Sequence, residues 1–199
     1  ESTQALYVPN QNSLDPTQND LVAEVSVLNL DAAKFVAQAP GKYDVIIIDF
    51  PDPNAVELSK LYSQHFYGLL HNKLAADGIF VQQSTSPTHA KEAYLCIGRT
   101  MESAGLAVIP YHDNVPSFGE WGWWIGGRDD RYTSDTLRNK ITSVSTLEVN
   151  TKYLTHSLVH ASLAFGKEQL SSTNQDINAI TTPKVFSYYL QGWSTMNGL

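Results

Sequence analysis

Residues 43–53, Tyr-Asp-Val-Ile-Ile-Ile-Asp-Phe-Pro-Asp-Pro, constrain the fold more than any other stretch of the chain. The unbroken β-branched run from Val45 to Ile48 predicts a strand buried on both faces of a sheet. It stops at an acidic turn, with Asp49 at the carboxyl end of the strand and Asp52 on the loop. In open α/β sheets, ligands lie in the crevice beyond the carboxyl ends of the strands. Two carboxylates there suit a cationic ligand better than they suit a core. Pro51 and Pro53 remove two backbone donors and stiffen the turn. The plain alternative is that Asp49 caps the next helix and Asp52-Pro53 is an ordinary turn. The turn alone does not choose.

Around this stretch, apolar spacing alternates between two periods. Residues 1–20 are rich in Asn, Gln, Ser, Thr and Pro and read as a loop-dominated lead-in. Residues 22–30 predict a strand, and 31–39 a short helix with Asp31 as its N-cap. From 55 to 74, Val56, Leu61, Phe66, Leu70 and Leu74 fall at helical spacing. A strand follows at 79–83, then a helix from Pro87 to Ala104 that Gly105 terminates, then a strand at 106–111. Residues 112–122 read as a long loop leading into an aromatic strand. Trp121, Trp123 and Trp124 there form either the wall of a pocket or ordinary core packing. A last helix is predicted at 183–190.

Strands alternating with helices give an α/β, doubly wound sheet. The chain reads as one domain, with lead-in 1–20, α/β core 21–130 and a helical and loop extension 131–199. Nucleotide-binding folds of this kind carry a glycine-rich turn after the first strand. No such turn precedes Asp31, so either the fold binds no nucleotide or that half lies upstream of Glu1. The chain opens Glu-Ser-Thr without methionine and reads as a piece of a longer protein.

A net charge of -7 argues against a nucleic-acid partner and is compatible with a polycationic substrate. Cys96 is the only cysteine, and none of the six histidines is read in an H-x-x-x-H spacing on a predicted helix, so no metal is expected. No apolar run approaches the roughly 20 residues of a spanning helix, which predicts a domain soluble as it stands.

Taken together, several segments resemble the spermidine synthase (polyamine aminopropyltransferase) family. They are Asp31-Ala32; Tyr43 to Asp49 with Asp52-Pro53; Leu61-Tyr62-Ser63 with Phe66-Tyr67; and Gly78-Ile79-Phe80-Val81-Gln82-Gln83. Pro110-Tyr111-His112, Val115 to Gly122, and Tyr188-Tyr189 with Gly192-Trp193 continue the match, which runs from about Asp15 to Trp193. The resemblance is strongest to the bacterial branch in which the synthase-like domain follows a membrane-embedded region. It implies a Rossmann-like, class I methyltransferase-like sheet, incomplete at its N-terminal half. It also implies a cytoplasmic domain attached to a membrane region in the parent protein.

The activity implied is transfer of an aminopropyl group from decarboxylated S-adenosylmethionine to putrescine or another polyamine, without a metal. On that resemblance Asp49 is the general base, and Asp52 and Gln83 hold the amine. Asp31 and Ala32 contact the adenine, with Asp49 and Phe50 on the cofactor side. The chemistry is coherent: the sulfonium is already a good leaving group, so catalysis is mostly positioning and removal of a proton from the amine.

Several features depart from the family pattern. The turn reads Asp-Phe-Pro-Asp where Asp-Ser-Ser-Asp is usual, and Phe118 stands where a tyrosine is usual, with Glu120 as a compensating carboxylate. The glycine-rich cofactor loop, the ribose-binding acid and the N-terminal β-domain have no counterpart, so the fragment alone is expected to be inactive or nearly so. An open sheet edge is also expected, covered by the lead-in or by a homodimer. Two other readings stay open: an S-adenosylmethionine-dependent methyltransferase, and a non-catalytic polyamine-binding domain.

Overall fold

A computed structural model describes residues 4–5, 25–145 and 150–196. Most of the lead-in at 1–20 and the start of the strand predicted at 22–30 lie outside the described residues. The main sheet has four strands, β3 (Tyr43–Ile48), β4 (Leu74–Gln83), β5 (Leu106–Val115) and β6 (Gly119–Arg128), in the order β3-β4-β6-β5. A separate antiparallel pair joins β1 (Gln4–Ala5) to β2 (Ser26–Val27).

Only β3 and β4 run parallel. β6 lies antiparallel between β4 and β5, and β5 and β6 form a hairpin paired from Leu106↔Arg128 to Val115↔Gly119. The long loop predicted at 112–122 is therefore mostly strand. Its polar residues His112, Asp113 and Asn114 disguised it, because this end of the hairpin is only partly buried. The chain turns at Pro116–Phe118, where the Phe118 amide donates to Val115 carbonyl oxygen at 2.9 Å.

One sheet face is fully covered. Ile48, Phe80, Val108 and Trp124 pack there against α3 (Gln64–Lys73), α4 (Lys91–Glu102) and α7 (Lys184–Met196) through Phe66, Leu70, Ile97 and Val185. The Trp124 ring lies against Gly98 so closely that a Cβ there would meet it at 2.3 Å. Only glycine lets helix and strand approach to that distance.

The opposite face is covered in part. α5 (Ser134–Thr142) and the segment after α6 (His156–Ser162) bring Leu137 and Leu163 onto Ala107 and Ile109, and Tyr132 packs with them. This layer does not extend to β3, where Val45 is 64% and Ile47 75% exposed. The prediction that 45–48 is buried on both faces is thus corrected. Among the described residues β3 is an edge strand, and only its Ile46 and Ile48 side meets the core.

The remaining helices follow local chemistry. Asp31 caps α1 (Ala32–Gln38), its carboxylate accepting the Lys34 amide at 2.9 Å. The helix predicted over 55–74 is broken. α2 (Val56–Ser59) passes into a single 3-10 turn at Lys60–Tyr62, and Ser63, extended at ψ 156°, caps α3 by accepting the Phe66 amide. A serine competes for backbone donors in this way, and apolar spacing alone does not reveal it. No described helix is long and apolar enough to cross a membrane.

Candidate active site

A cavity of 370 Å³ opens beyond the carboxyl ends of β3 and β4. Ile47 and Asp49 line it from β3 and its tip, and Val81 and Gln83 from β4. The hairpin contributes Tyr111, Trp121 and Trp123, with Phe118 from its turn. The walls are therefore aromatic and the acidic groups sit at one end. Alternation along β6 explains the tryptophans: Trp121 and Trp123 face the cavity, while Trp124 is buried and stacked on Tyr94 at 5.1 Å. Trp123 stacks on Tyr111 at 5.3 Å. Both readings of this tryptophan cluster hold, each on one face of the strand.

The two acids of the turn are held very differently. Asp49 is exposed, lines the cavity and receives no hydrogen bond from the described residues. It does not cap a helix, since the residue in the N-cap position of α2 is Ala55. Asp52 is half-buried and anchored. Gln83 Nε2 donates to its Oδ1 at 2.8 Å and the Thr85 hydroxyl donates to Oδ2 at 3.2 Å, and the Tyr189 phenol from α7 lies near enough to feel its charge. The turn itself is fixed by the Tyr62 hydroxyl, which donates to Pro51 carbonyl oxygen at 2.9 Å. Burial, and then the Asp52 and Asp49 carboxylates, push the Tyr62 phenol up. Burial and Asp52 do the same to Tyr189, so both phenols remain donors at neutral pH.

Gln83 is 9% exposed and faces the cavity, and its Oε1 is buried without a hydrogen-bond partner among the described residues. A buried orphan acceptor beside two carboxylates is costly unless a donor arrives. The site therefore lacks an N–H or O–H donor, preferably a cation.

The structure thus brings together Asp49, Asp52, Gln83 and Phe118. Phe118 is exposed, lines the cavity and lies 5.2 Å from the Trp121 ring. Glu120 is elsewhere. Its carboxylate pairs with His112 Nδ1 at 2.8 Å, accepts from Gln169 Nε2 at 2.7 Å and is bonded by the Thr88 hydroxyl, at a separate cavity. It neighbours Trp121 in sequence, but the strand's period of two separates them. Glu120, read as a compensating carboxylate for the amine, thus stands off the lining of the cavity that holds Asp49 and Gln83.

Phe50 is also off the cavity lining. Its ring sits edge-on to Phe66 at 5.5 Å and to Tyr62 at 6.4 Å, packed against the core, so it wedges the turn in place. Asp31 and Ala32 start α1 and do not line the cavity.

Two residues at the site were missed by sequence reasoning. Thr85 follows β4 at φ +63°, a left-handed conformation that is strained for a β-branched residue. The polar run Ser84-Thr85-Ser86 after an apolar strand was its signal. Tyr189 reaches the site from far down the chain; the Tyr188-Tyr189 pair was visible but carried no role. His156 and His160 were also missed as a pair. They stand four apart on α6 with ring centroids 4.5 Å apart, correcting the reading of the histidines. No group of three or more His, Cys, Asp or Glu side chains that could hold a metal occurs among the described residues.

The fold defines a Rossmann-like α/β domain with an acidic crevice beyond its parallel strands. The family model for the spermine/spermidine synthase domain matches residues 16–136, and the chain belongs to that family. It is 34% identical over 198 residues to the polyamine aminopropyltransferase of Shewanella oneidensis, covering 99% of this chain and 33% of that protein. It is 34% identical to the polyamine aminopropyltransferase of Oceanobacillus iheyensis, covering 92% and 35%. The chain therefore spans about a third of the length of these curated relatives. Among solved structures, spermidine synthase from Thermotoga maritima superposes with a TM-score of 0.53 at 21% identity, over 76% of this chain and 51% of that one. A spermidine synthase in complex with the transition-state analogue AdoDATO gives 0.50 at 20% identity, over 69% and 46%.

Proposed function

We propose that this chain carries the amine half of an aminopropyltransferase site. In the full-length protein an aminopropyl group would pass from decarboxylated S-adenosylmethionine to putrescine, giving spermidine. The observation that carries this reading is the buried, unpartnered Gln83 Oε1 beside Asp49 and Asp52 in an aromatic-walled cavity. A diamine is apolar between two cationic ends. Its methylenes suit the faces of Trp121, Trp123 and Tyr111, and aromatic faces also attract ammonium groups.

In the reaction, Asp49 accepts a proton from the ammonium nitrogen, whose pKa lies near that of lysine, about 10.4. The freed lone pair forms the new C–N bond as the carbon–sulfur bond breaks, and the sulfur leaves as a neutral thioether. Asp52 and Gln83 orient the amine and exclude other poses. The open carboxylate of Asp49 suits proton transfer, and the anchored one of Asp52 suits binding. Asp31 and Ala32 are proposed as the adenine contacts, with Asp49 and Phe50 beside the cofactor. The exposed β3 edge is where the upstream part of the parent, or a second copy, would pair.

A second reading, amine capture without transfer by this chain alone, is favoured by one observation: Asp31 and Ala32 stand apart from the cavity lining. Calorimetric titration of the full-length protein with putrescine and with decarboxylated S-adenosylmethionine, repeated with Asp49→Asn, separates the two. Binding of both ligands, with turnover lost in the variant, is expected. Amine binding without cofactor binding would overturn the transfer reading. Robust turnover by residues 1–199 alone would overturn the assignment of this chain to half a site.

A further inference from the structure

Asp52 is held by two donors, Gln83 at the end of β4 and Thr85 in the connection after it. The Tyr189 phenol of α7, more than a hundred residues away in sequence, lies close enough for the Asp52 charge to push it up. None of the three side chains carries a positive charge, so they can orient the carboxylate without neutralising it. The connection is itself pinned. Ser84 amide donates to Gly122 carbonyl oxygen and Gly122 amide to Thr85 carbonyl oxygen, both at 2.9 Å, which fixes Thr85 at φ +63°. Strain of this kind persists where the surrounding structure over-determines it, typically at functional sites.

α7 is seated with equal care. A Cβ on Gly192 would meet His89 carbonyl oxygen at 2.5 Å. Trp193 lies 5.3 Å from the His89 ring, 6.3 Å from Trp121 in the cavity wall and 6.1 Å from Tyr189. The helix thus spans from the aromatic wall to the acidic end of the cavity.

We propose that Thr85 and Tyr189 are positioning residues of the amine site, acting through Asp52, and that the C-terminal helix is part of the site. This rests on the amine-site reading above. Thr85 aims its hydroxyl only because its backbone is forced into the left-handed region. Tyr189 supplies a hydroxyl that would be absent if the chain stopped before α7.

The test is calorimetric titration of putrescine into the protein and into Asp52→Asn, Tyr189→Phe, Thr85→Val, Thr85→Ser and the double variants with Asp52→Asn. Valine keeps the shape and branching of threonine and removes only the hydroxyl. Tyr189→Phe and Thr85→Val should each weaken binding roughly fivefold to tenfold, as loss of one hydroxyl beside a charged group implies. Thr85→Ser should bind like the unsubstituted protein. Adding either substitution to Asp52→Asn should cause no further loss, because both act through that carboxylate. A merely structural role would give additive losses, and additivity overturns the proposal. So does unchanged binding by Tyr189→Phe and Thr85→Val when Asp52→Asn is weak. If Asp52→Asn itself binds putrescine normally, or the unsubstituted protein does not bind it, the amine-site reading fails first and takes this inference with it.

Discussion

The centre of the sheet and its β3 edge are built to different standards. At the β4–β6 centre, side chains interlock from both directions: Trp124 against Gly98, Tyr94 against Gly122, and a polar connection whose Ser84, Thr85 and Ser86 are fully buried. At the β3 edge, a strand of aliphatic residues has one bare face and, among the described residues, no strand on its outer side, and α1 contributes no fully buried residue. Gln83, on the finished side, and Asp49, at the tip of the bare strand, meet at the junction. On the amine-site reading, the finished side holds what must be positioned and the bare side carries the group that must be left free.

The largest effect expected is chemical. In the full-length protein, Asp49→Asn should lower kcat by about 10²–10⁴-fold while leaving the KM for putrescine within a few-fold, as for loss of a general base. Asp52→Asn should do the reverse, raising that KM by roughly tenfold or more with a smaller change in kcat. Steady-state kinetics over a putrescine series checks both. An identical pattern for the two variants would erase the distinction between the free and the anchored acid.

The next effect is on packing. Gly98→Ala should cost about 1–3 kcal/mol, because the added methyl overlaps Trp124. Val45→Lys, on the bare strand, should cost under about 0.5 kcal/mol. Urea unfolding of both variants measures the contrast directly. If copies pair along β3, Val45→Lys should also abolish concentration-dependent association in analytical ultracentrifugation.

The smallest effect concerns pH. Tyr188, by hydrogen bonding, and then Lys184 at 3.2 Å hold the Asp176 carboxyl below the ordinary aspartate range. Its folded value lies under its unfolded one. The stabilisation is therefore complete above the unfolded value, about 3.9, and is lost as pH falls through the folded value. Asp176→Asn should lower Tm at pH 6, and the difference should shrink below pH 4. A constant difference across that range would show that the contact matters for shape and not for charge.

Much of the site was legible because it is local. The acids of 49–52, the cap at Asp31 and the helix stop at Gly105 (φ +82°) each depend on a few neighbouring residues. What was misread depends on distant partners. Val45–Ile48 looks like a central strand by composition, but among the described residues no strand pairs on its outer side and no layer covers its Val45 and Ile47 face. Glu120 looked like a ligand-binding acid until His112, Gln169 and Thr88 were brought to it by the hairpin and the extension. Thr85 and Tyr189 meet Asp52 across 33 and 137 positions, a relation no window of sequence contains.

The hairpin has a further consequence, in the order of assembly. Its ten-residue strands are joined by a three-residue turn, so β5 and β6 can zip together from contacts close in sequence. β3 and β4 are parallel and separated by 25 residues of helix and turn, which must be ordered before their pairing is rewarded. Folding should therefore raise the aromatic wall first and attach the acidic strand last. In the mature domain the last piece attached should also be the first to open. Amide exchange would then run faster across 43–48 than across 119–128, and Asp49, the proposed base, would ride on the most mobile strand of the sheet.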